Sequence, residues 1–314
     1  MNMTPEYVCQ TAVVMIMFNR FEETKRTFLA IREVKPKKLI LISDGPRENV
    51  TSDFDAITEC RNLEYEVDWE CEIIKDFSPI NLGCQRRIVT GLSKVFETED
   101  KAIILEDDCL PNLNFFKFMD WGLSEFKDDT DIGMISGSNL ISHKFSISEY
   151  NGFSNYINIW GWATWKRVWL SHNPHLSIKE VKSNLKFHTS HLLFKWWETL
   201  YWKELFKNTL YAGTTWDFQL QYTFFKHKYL SVYPNENLIL NIGFSGSGTH
   251  TNKGTPDYIK LTKPNNFNDS IQLNKNKNKN TSRLRDKLLL NEIWSKNFFS
   301  TIRLFLMNIL RLNF

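Results

Sequence analysis

The 314-residue sequence has no Gly-x-Gly-x-x-Gly after its first apolar run and no glycine loop closing on Lys-Ser or Lys-Thr. Those loops hold dinucleotides and nucleoside triphosphates against a helix N-terminus, so dinucleotide oxidoreductases and P-loop enzymes lose their main support. Its five cysteines, Cys9, Cys60, Cys71, Cys84 and Cys109, are odd in number and scattered. They lack the paired spacing of a zinc site or a disulfide framework and point to a reducing compartment. An excess of one charge is missing too. The 39 basic and 36 acidic residues leave a net +3, too little for a global field aimed at nucleic acid. The apolar run at 12–18 has no basic stretch before it and is too short to span a bilayer. It reads as a strand, and the expectation is a cytoplasmic protein.

What is present is an α/β pattern. With 42% hydrophobic residues the chain can bury one substantial core, or a core and a helical subdomain. Apolar runs at 13–18, 39–43, 69–74 and 102–105 read as strands, separated by helical spacing at 21–34, 51–63 and 85–96. Strand, helix and strand repeated in this way predict a mostly parallel central sheet flanked by helices. Further on, a helix is expected at 112–127, a strand at 132–135, helical structure over 178–208, and late strands at 229–233 and 238–242.

The predicted strands end in polar residues: Asn19 and Arg20, then Asp44, then the triplet Glu106, Asp107, Asp108, with Asn81 opening the third helix. A packed core has no use for that coincidence. A cleft at one edge of a sheet does, and ligands of open α/β sheets bind beyond the carboxyl ends of strands. Three adjacent acids repel one another unless a cation sits among them, and Mg²⁺ or Mn²⁺ bound through oxygen suits such a set. Taken alone, the triplet is equally an acidic turn. Asp44 is suited to accept from a nucleotide base, with Arg20 and Arg87 near the base or diphosphate.

The second half is rich in aromatics. Trp160, Trp162, Trp165 and Trp169 gather around Gly161, and Trp216 precedes Asp217. Such rings stack on sugars or pack in cores. Asp217 also stands where a helix cap is expected. Residues 243–251 form a glycine-rich stretch containing His250, a composition suited to closing over a phosphate. Residues 261–282 include alternating Asn and Lys and read as a linker. Residues 283–314 mix basic and apolar side chains, fit for a membrane interface, for the domain itself or for a second subunit.

Taken in order, residues 13–20, Ser43-Asp44-Gly45, Asn81-Leu82-Gly83 with Arg86 and Arg87, the acidic triplet, Trp160-Gly161-Trp162, Trp216-Asp217 and Gly248-Thr249-His250 resemble the GT-A glycosyltransferases. The resemblance covers about 12–252 and is to the bacterial haemolysin-like nucleotide-diphospho-sugar transferases, similar to the N-acetylglucosaminyltransferase I family. It implies a Rossmann-like GT-A domain over 1–260, with a nucleotide-sugar half to about 135 and an acceptor half from 136 with helical insertions. It implies that Asp108, supported by Asp107, binds Mn²⁺ or Mg²⁺, and that Asn19, Arg20, Asp44, Arg87, Glu106, Asp107 and His250 hold a UDP-sugar. Asp217 would be the general base of an inverting transfer to a glycan or lipid-linked glycan, with Trp160, Trp162 and Trp216 as stacking rings. The family's animal members carry two acids where Phe218 follows Asp217 here. A sugar-nucleotide pyrophosphorylase would need a glycine-rich loop with trailing Arg and Lys after the first strand. A non-catalytic sugar-binding or haemolysin-like surface protein would use the tryptophans without metal or base.

Overall fold

The structure is a computed structural model and describes residues 7–145, 151–192, 194–244, 260, 279–294 and 298–311. The first four strands are β1 (Val13–Met17), β2 (Lys38–Ser43), β3 (Glu72–Phe77) and β4 (Lys101–Glu106), alternating with α1 (Phe21–Val34), α2 (Ser52–Asn62) and α3 (Cys84–Thr98). Every side chain of β1 is buried, as expected of a central strand covered on both faces. Helix α1 lays Thr24, Thr27, Phe28, Ile31 and Val34 against the sheet, one turn or nearly one turn apart.

A short β5 (Cys109–Pro111) and α4 (Leu113–Glu125) follow, then β6 (Ile132–Ser136), β7 (Asn151–Ser154), β8 (Trp162–Trp165) and the single turn α5 (Lys166–Trp169). Helices α6 (Ile178–His188), α7 (Trp196–Ala212) and α8 (Asp217–His227) precede β9 (Leu230–Pro234) and β10 (Ile239–Asn241). The main sheet has eight strands in the order β3-β2-β1-β4-β8-β6-β9-β7, and β5 pairs with β10 in a separate ribbon. Only β7 and β8 run against the rest, so the expected α/β class with a mostly parallel sheet flanked by helices is present. Because β8 lies between β4 and β6, the stretches before and after residue 135 share one continuous sheet.

This order places a topological switch at the centre. From β1 the chain builds outward through β2 to β3, then crosses back so that β4 lies on the other side of β1. Ligands of open α/β sheets bind at such a point, beyond the carboxyl ends of the strands that flank it, here β1 and β4.

Two expectations needed adjustment. The third strand starts at Glu72 rather than residue 69; Trp69 lies in the loop before it and donates its indole N–H to the carbonyl of Pro36, which precedes β2. The helical stretch expected over 178–208 is two helices separated by a short 3₁₀ turn at Ser190–Leu192. Strands β5 and β7 were not anticipated.

Two hydrophobic clusters form among the described residues. One packs the sheet between its flanking helices. The other lies among α6, α7 and α8, where Tyr156, Trp202, Phe206, Tyr222 and Phe225 meet in edge and stacked contacts. Burying each such ring stabilises the fold by roughly 1.5–3 kcal/mol. Helix α9 (Arg283–Trp294) docks here through Leu289 and Leu290. Asp286 accepts from the Ser154 hydroxyl at 2.6 Å, and the Arg285 guanidinium lies 3.5 Å over the Tyr233 ring. Helix α10 (Phe298–Arg311) lies along α7. Of the three settings open to residues 283–314, the domain itself receives both helices. No helix among the described residues is long and apolar enough to cross a membrane.

Candidate active site

Register brings the polar strand ends level. Ile16 of β1 pairs with Glu106 of β4, and Met17 with Ser43 of β2, so residues 19–20, 44 and 106–108 all emerge at one edge of the sheet. Arg20, the residue before α1, spans the switch crevice. Its guanidinium donates to both Asp107 oxygens, and its Nη1 donates to Asp108 Oδ2 at 3.1 Å. Asp107 is held further by Thr27, whose hydroxyl donates to the Asp107 carbonyl at 2.9 Å.

One guanidinium faces three carboxylates. Burial pushes the Glu106 carboxyl well above its ordinary range, and the charges of Asp108, Asp107 and Asp217 push it the same way, with Arg20 opposing. Burial raises Asp107 as well, against the pull of Arg20. The Arg20 guanidinium, despite its own desolvation, is held protonated by Asp107 and Asp108.

Asp217 arrives from the other side. Trp162 opens β8 opposite Ile104, two residues before Glu106, and the Trp216 ring stacks on it with centroids 5.7 Å apart. Asp217 follows immediately as the first residue of α8. A helix N-terminus favours an anion there. The Asp217 charge acts on both Glu106 and the Cys84 thiol, so it shares their end of the sheet. Cys84, the first residue of α3, is exposed at its surface, but the desolvated side of its thiol and the charges of Glu106, Asp217, Asp44 and Asp107 raise it to about 12.

The β5–β10 ribbon closes the remaining side. Ile242 N–H donates to the Asp108 carbonyl at 2.8 Å, and Gly243 N–H donates to Asn241 Oδ1 at 3.0 Å. Gly243 thus lies against Asp108 and Arg20. Trp160 is half-buried, and its ring meets Phe244 edge-on at 5.9 Å, beside this contact.

Several residues expected to contact ligand are engaged by other groups of the protein. Trp162 and Trp216 are 1% and 3% exposed and stack on each other, so neither offers a face to a sugar; they position Asp217 instead. Arg87 is buried, and its Nη2 donates to the Asp76 carboxylate and, at 2.8 Å, to the Asp76 carbonyl; it braces β3 against α3. Asp44 is buried and accepts from the N–H groups of Gly45, Leu82 and Gly83 at 2.8–3.1 Å. It shapes the loop before α3. Asn19 donates to Asp53 at 2.8 Å, and Asp53 is gripped by Arg47. His250 lies outside the described residues.

Three contributors were missed. Arg61 ties β2 to β3 through the Ser43 hydroxyl and the carbonyls of Asp44 and Ser78. Gly243 and Cys84 complete the walls. Only Gly243 carried a signal, as the start of the glycine-rich stretch.

The donor set fits a hard divalent cation as half of a site. Asp107 and Asp108 offer adjacent carboxylate oxygens, and Arg20 offsets only part of the negative charge. Among the described residues no three such side chains converge closely enough to hold a metal ion by themselves. A cation held by one or two carboxylates and completed by phosphate oxygens needs no such group.

No protein-family model matches the sequence, and no curated protein matches it significantly. Among solved structures, an apo UDP-glucose pyrophosphorylase aligns over 80% of this chain and 97% of its own, with 7% identity and a TM-score of 0.37. HddC from Yersinia pseudotuberculosis aligns over 52% and 80%, with 13% identity and a TM-score of 0.30. Mouse xyloside xylosyltransferase 1 aligns over 68% and 80%, with 12% identity and a TM-score of 0.29. At such identities and TM-scores these likenesses define neither the fold family nor the activity of this chain.

Proposed function

We propose that the protein is a metal-dependent, inverting glycosyltransferase that moves a sugar from a nucleotide sugar, a UDP-sugar by preference, to a hydroxyl of a glycan or lipid-linked glycan. One observation supports this reading above the others: the Trp216 ring stacks on Trp162, which pairs with Ile104 two residues before Glu106, so Asp217 at the start of α8 comes to the end of β4 that carries the acids. The GT-A pattern of the sequence points the same way.

In this reading Asp108, with Asp107 behind it, holds Mg²⁺ or Mn²⁺ against the donor's diphosphate. The bound cation would neutralise charge building on the departing nucleoside diphosphate. Arg20 keeps both carboxylates oriented before the donor arrives, and Glu106 stands over the donor sugar. An acceptor hydroxyl has a pKa far above neutral, so a carboxylate within about 2.6–3.2 Å must take its proton as the new bond forms. Asp217 is that group, steadied by the Trp162–Trp216 stack and by the start of α8. Trp160 is the remaining aromatic wall for the acceptor. A non-catalytic sugar-binding surface loses two of its three rings to the core, which weakens that alternative.

Hydrolysis of, or transfer from, UDP-sugars should require Mn²⁺ or Mg²⁺ and disappear in Asp108→Ala. Equal turnover with and without a chelator would refute the metal assignment. A thermal-shift panel of nucleotide sugars with Mn²⁺ identifies the donor, because a ligand bound only by the folded state raises Tm by mass action.

A further inference from the structure

Helix α10 docks with its polar side inward. Thr301 and Asn308 are 1% and 2% exposed, and Leu304 is half-buried between them on the same face. Asn308 Nδ2 donates to the Glu204 carbonyl at 3.0 Å and to its carboxylate at 2.8 Å, and that carboxylate also accepts from Lys207 at 2.7 Å. Glu204 is 2% exposed, so these bonds lie in a desolvated setting where they fix the rotation of the helix. The outward side is apolar: Ile302 is 40% exposed, Phe305 40%, Leu306 52% and Met307 38%. Positions three and four apart share a helix face, so Ile302, Phe305 and Leu306 form one patch. A water-facing helix ordinarily has the reverse arrangement.

We infer that this face of α10 is a membrane-docking surface that lies in the interface of an anionic lipid bilayer. Charge and size both favour a lipid occupant. The helix carries Arg303 and Arg311 and no acidic residue, and Arg303 is exposed beside the apolar patch. Basic and apolar side chains together are what an interfacial helix uses, the apolar ones entering the headgroup boundary and the basic ones meeting lipid phosphates. A second copy of the chain fits less well. At about 1.5 Å per residue the helix is roughly 21 Å long and about 10 Å across. One such face covers far less than the roughly 800 Å² per partner of a stable protein interface. Insertion into lipid has no such requirement. The surface does not depend on the transferase reading, although it would bring the crevice to an acceptor held in a membrane.

The full chain is mixed with phosphatidylglycerol/phosphatidylcholine vesicles, and with phosphatidylcholine vesicles alone, and bound protein is separated by sedimentation. The wild type should bind the anionic vesicles at least tenfold better. The triple variant Ile302→Glu, Phe305→Glu, Leu306→Glu should lose at least tenfold of that binding with its circular dichroism and Tm preserved. Arg303→Gln should lose several-fold at low salt. Should the triple variant misfold, Phe305→Gln provides the same reading with a smaller loss. Vesicle binding unchanged in the variants, or no binding by the wild type, overturns the inference. A wild-type dimer in sedimentation velocity that the triple variant converts to monomer also overturns it, in favour of a second copy. None of these readouts uses sugar transfer, so failure here and failure of the proposed reaction are separable.

Discussion

Gly243 lies against Asp108 with no room for a side chain: a Cβ there would come 3.0 Å from the Asp108 Cβ and 2.9 Å from Arg20 Nη1. The β5–β10 ribbon fixes both residues, so neither moves away freely. Gly243→Ala should therefore displace the acids while leaving the remote core intact. The expected result is a stability loss of about 1–3 kcal/mol by overpacking, with donor affinity down at least tenfold, read by denaturant titration and calorimetry.

Arg20 is the cation that the triplet already has. Arg20→Ala leaves Asp107, whose side chain is 5% exposed, without its partner. Breaking a buried pair in this way costs roughly 3 kcal/mol or more. Because the acids then lack any counter-charge, Mn²⁺ should raise Tm more in Arg20→Ala than in wild type. An equal or smaller rise in the variant would mean that the carboxylates do not take up the metal.

His172 supplies a pH dependence away from the site. It is 9% exposed, lies 5.0 Å from the Trp169 ring, and neither ring nitrogen has a hydrogen-bond partner among the described residues. Burial lowers its pKa from 6.5 to about 4. Unfolding frees the ring to take a proton below its ordinary pKa, so this contribution is complete above about pH 6.5 and declines as pH falls toward 4. At pH 5 the loss should be roughly 2 kcal/mol. His172→Phe should show a correspondingly flatter stability profile between pH 7.5 and 5, measured by urea denaturation.

Much of the scaffold was legible in the sequence because β1, β2 and β4 are buried on both faces and appear as unbroken apolar runs. Strand β3 was misplaced by three residues: it lies at the sheet edge, its side chains are half or fully exposed, and the apolar signal fades there. Neither β5 nor β7 could be read, since Cys-Leu-Pro and Asn-Gly-Phe-Ser are defined by their partners β10 and β9, far along the chain. The acids were visible as a group, and their arginine was named, but its task was not. A guanidinium beside a strand end has the same sequence appearance whether it meets a base or a carboxylate. Trp162 and Trp216 show the same limit, because an indole that stacks on sugar and one that stacks on another indole differ only in burial.

The most direct measurement is sugar transfer by Asp217→Asn, with donor affinity determined in parallel by calorimetry in Mn²⁺. The substitution keeps the shape of the side chain and removes its ability to take a proton. Transfer should fall by about 10²–10⁴-fold while the UDP-sugar Kd stays within about twofold, the pattern of a group needed only as the bond forms. Wild-type turnover in Asp217→Asn would contradict the assignment and place the base elsewhere in the crevice.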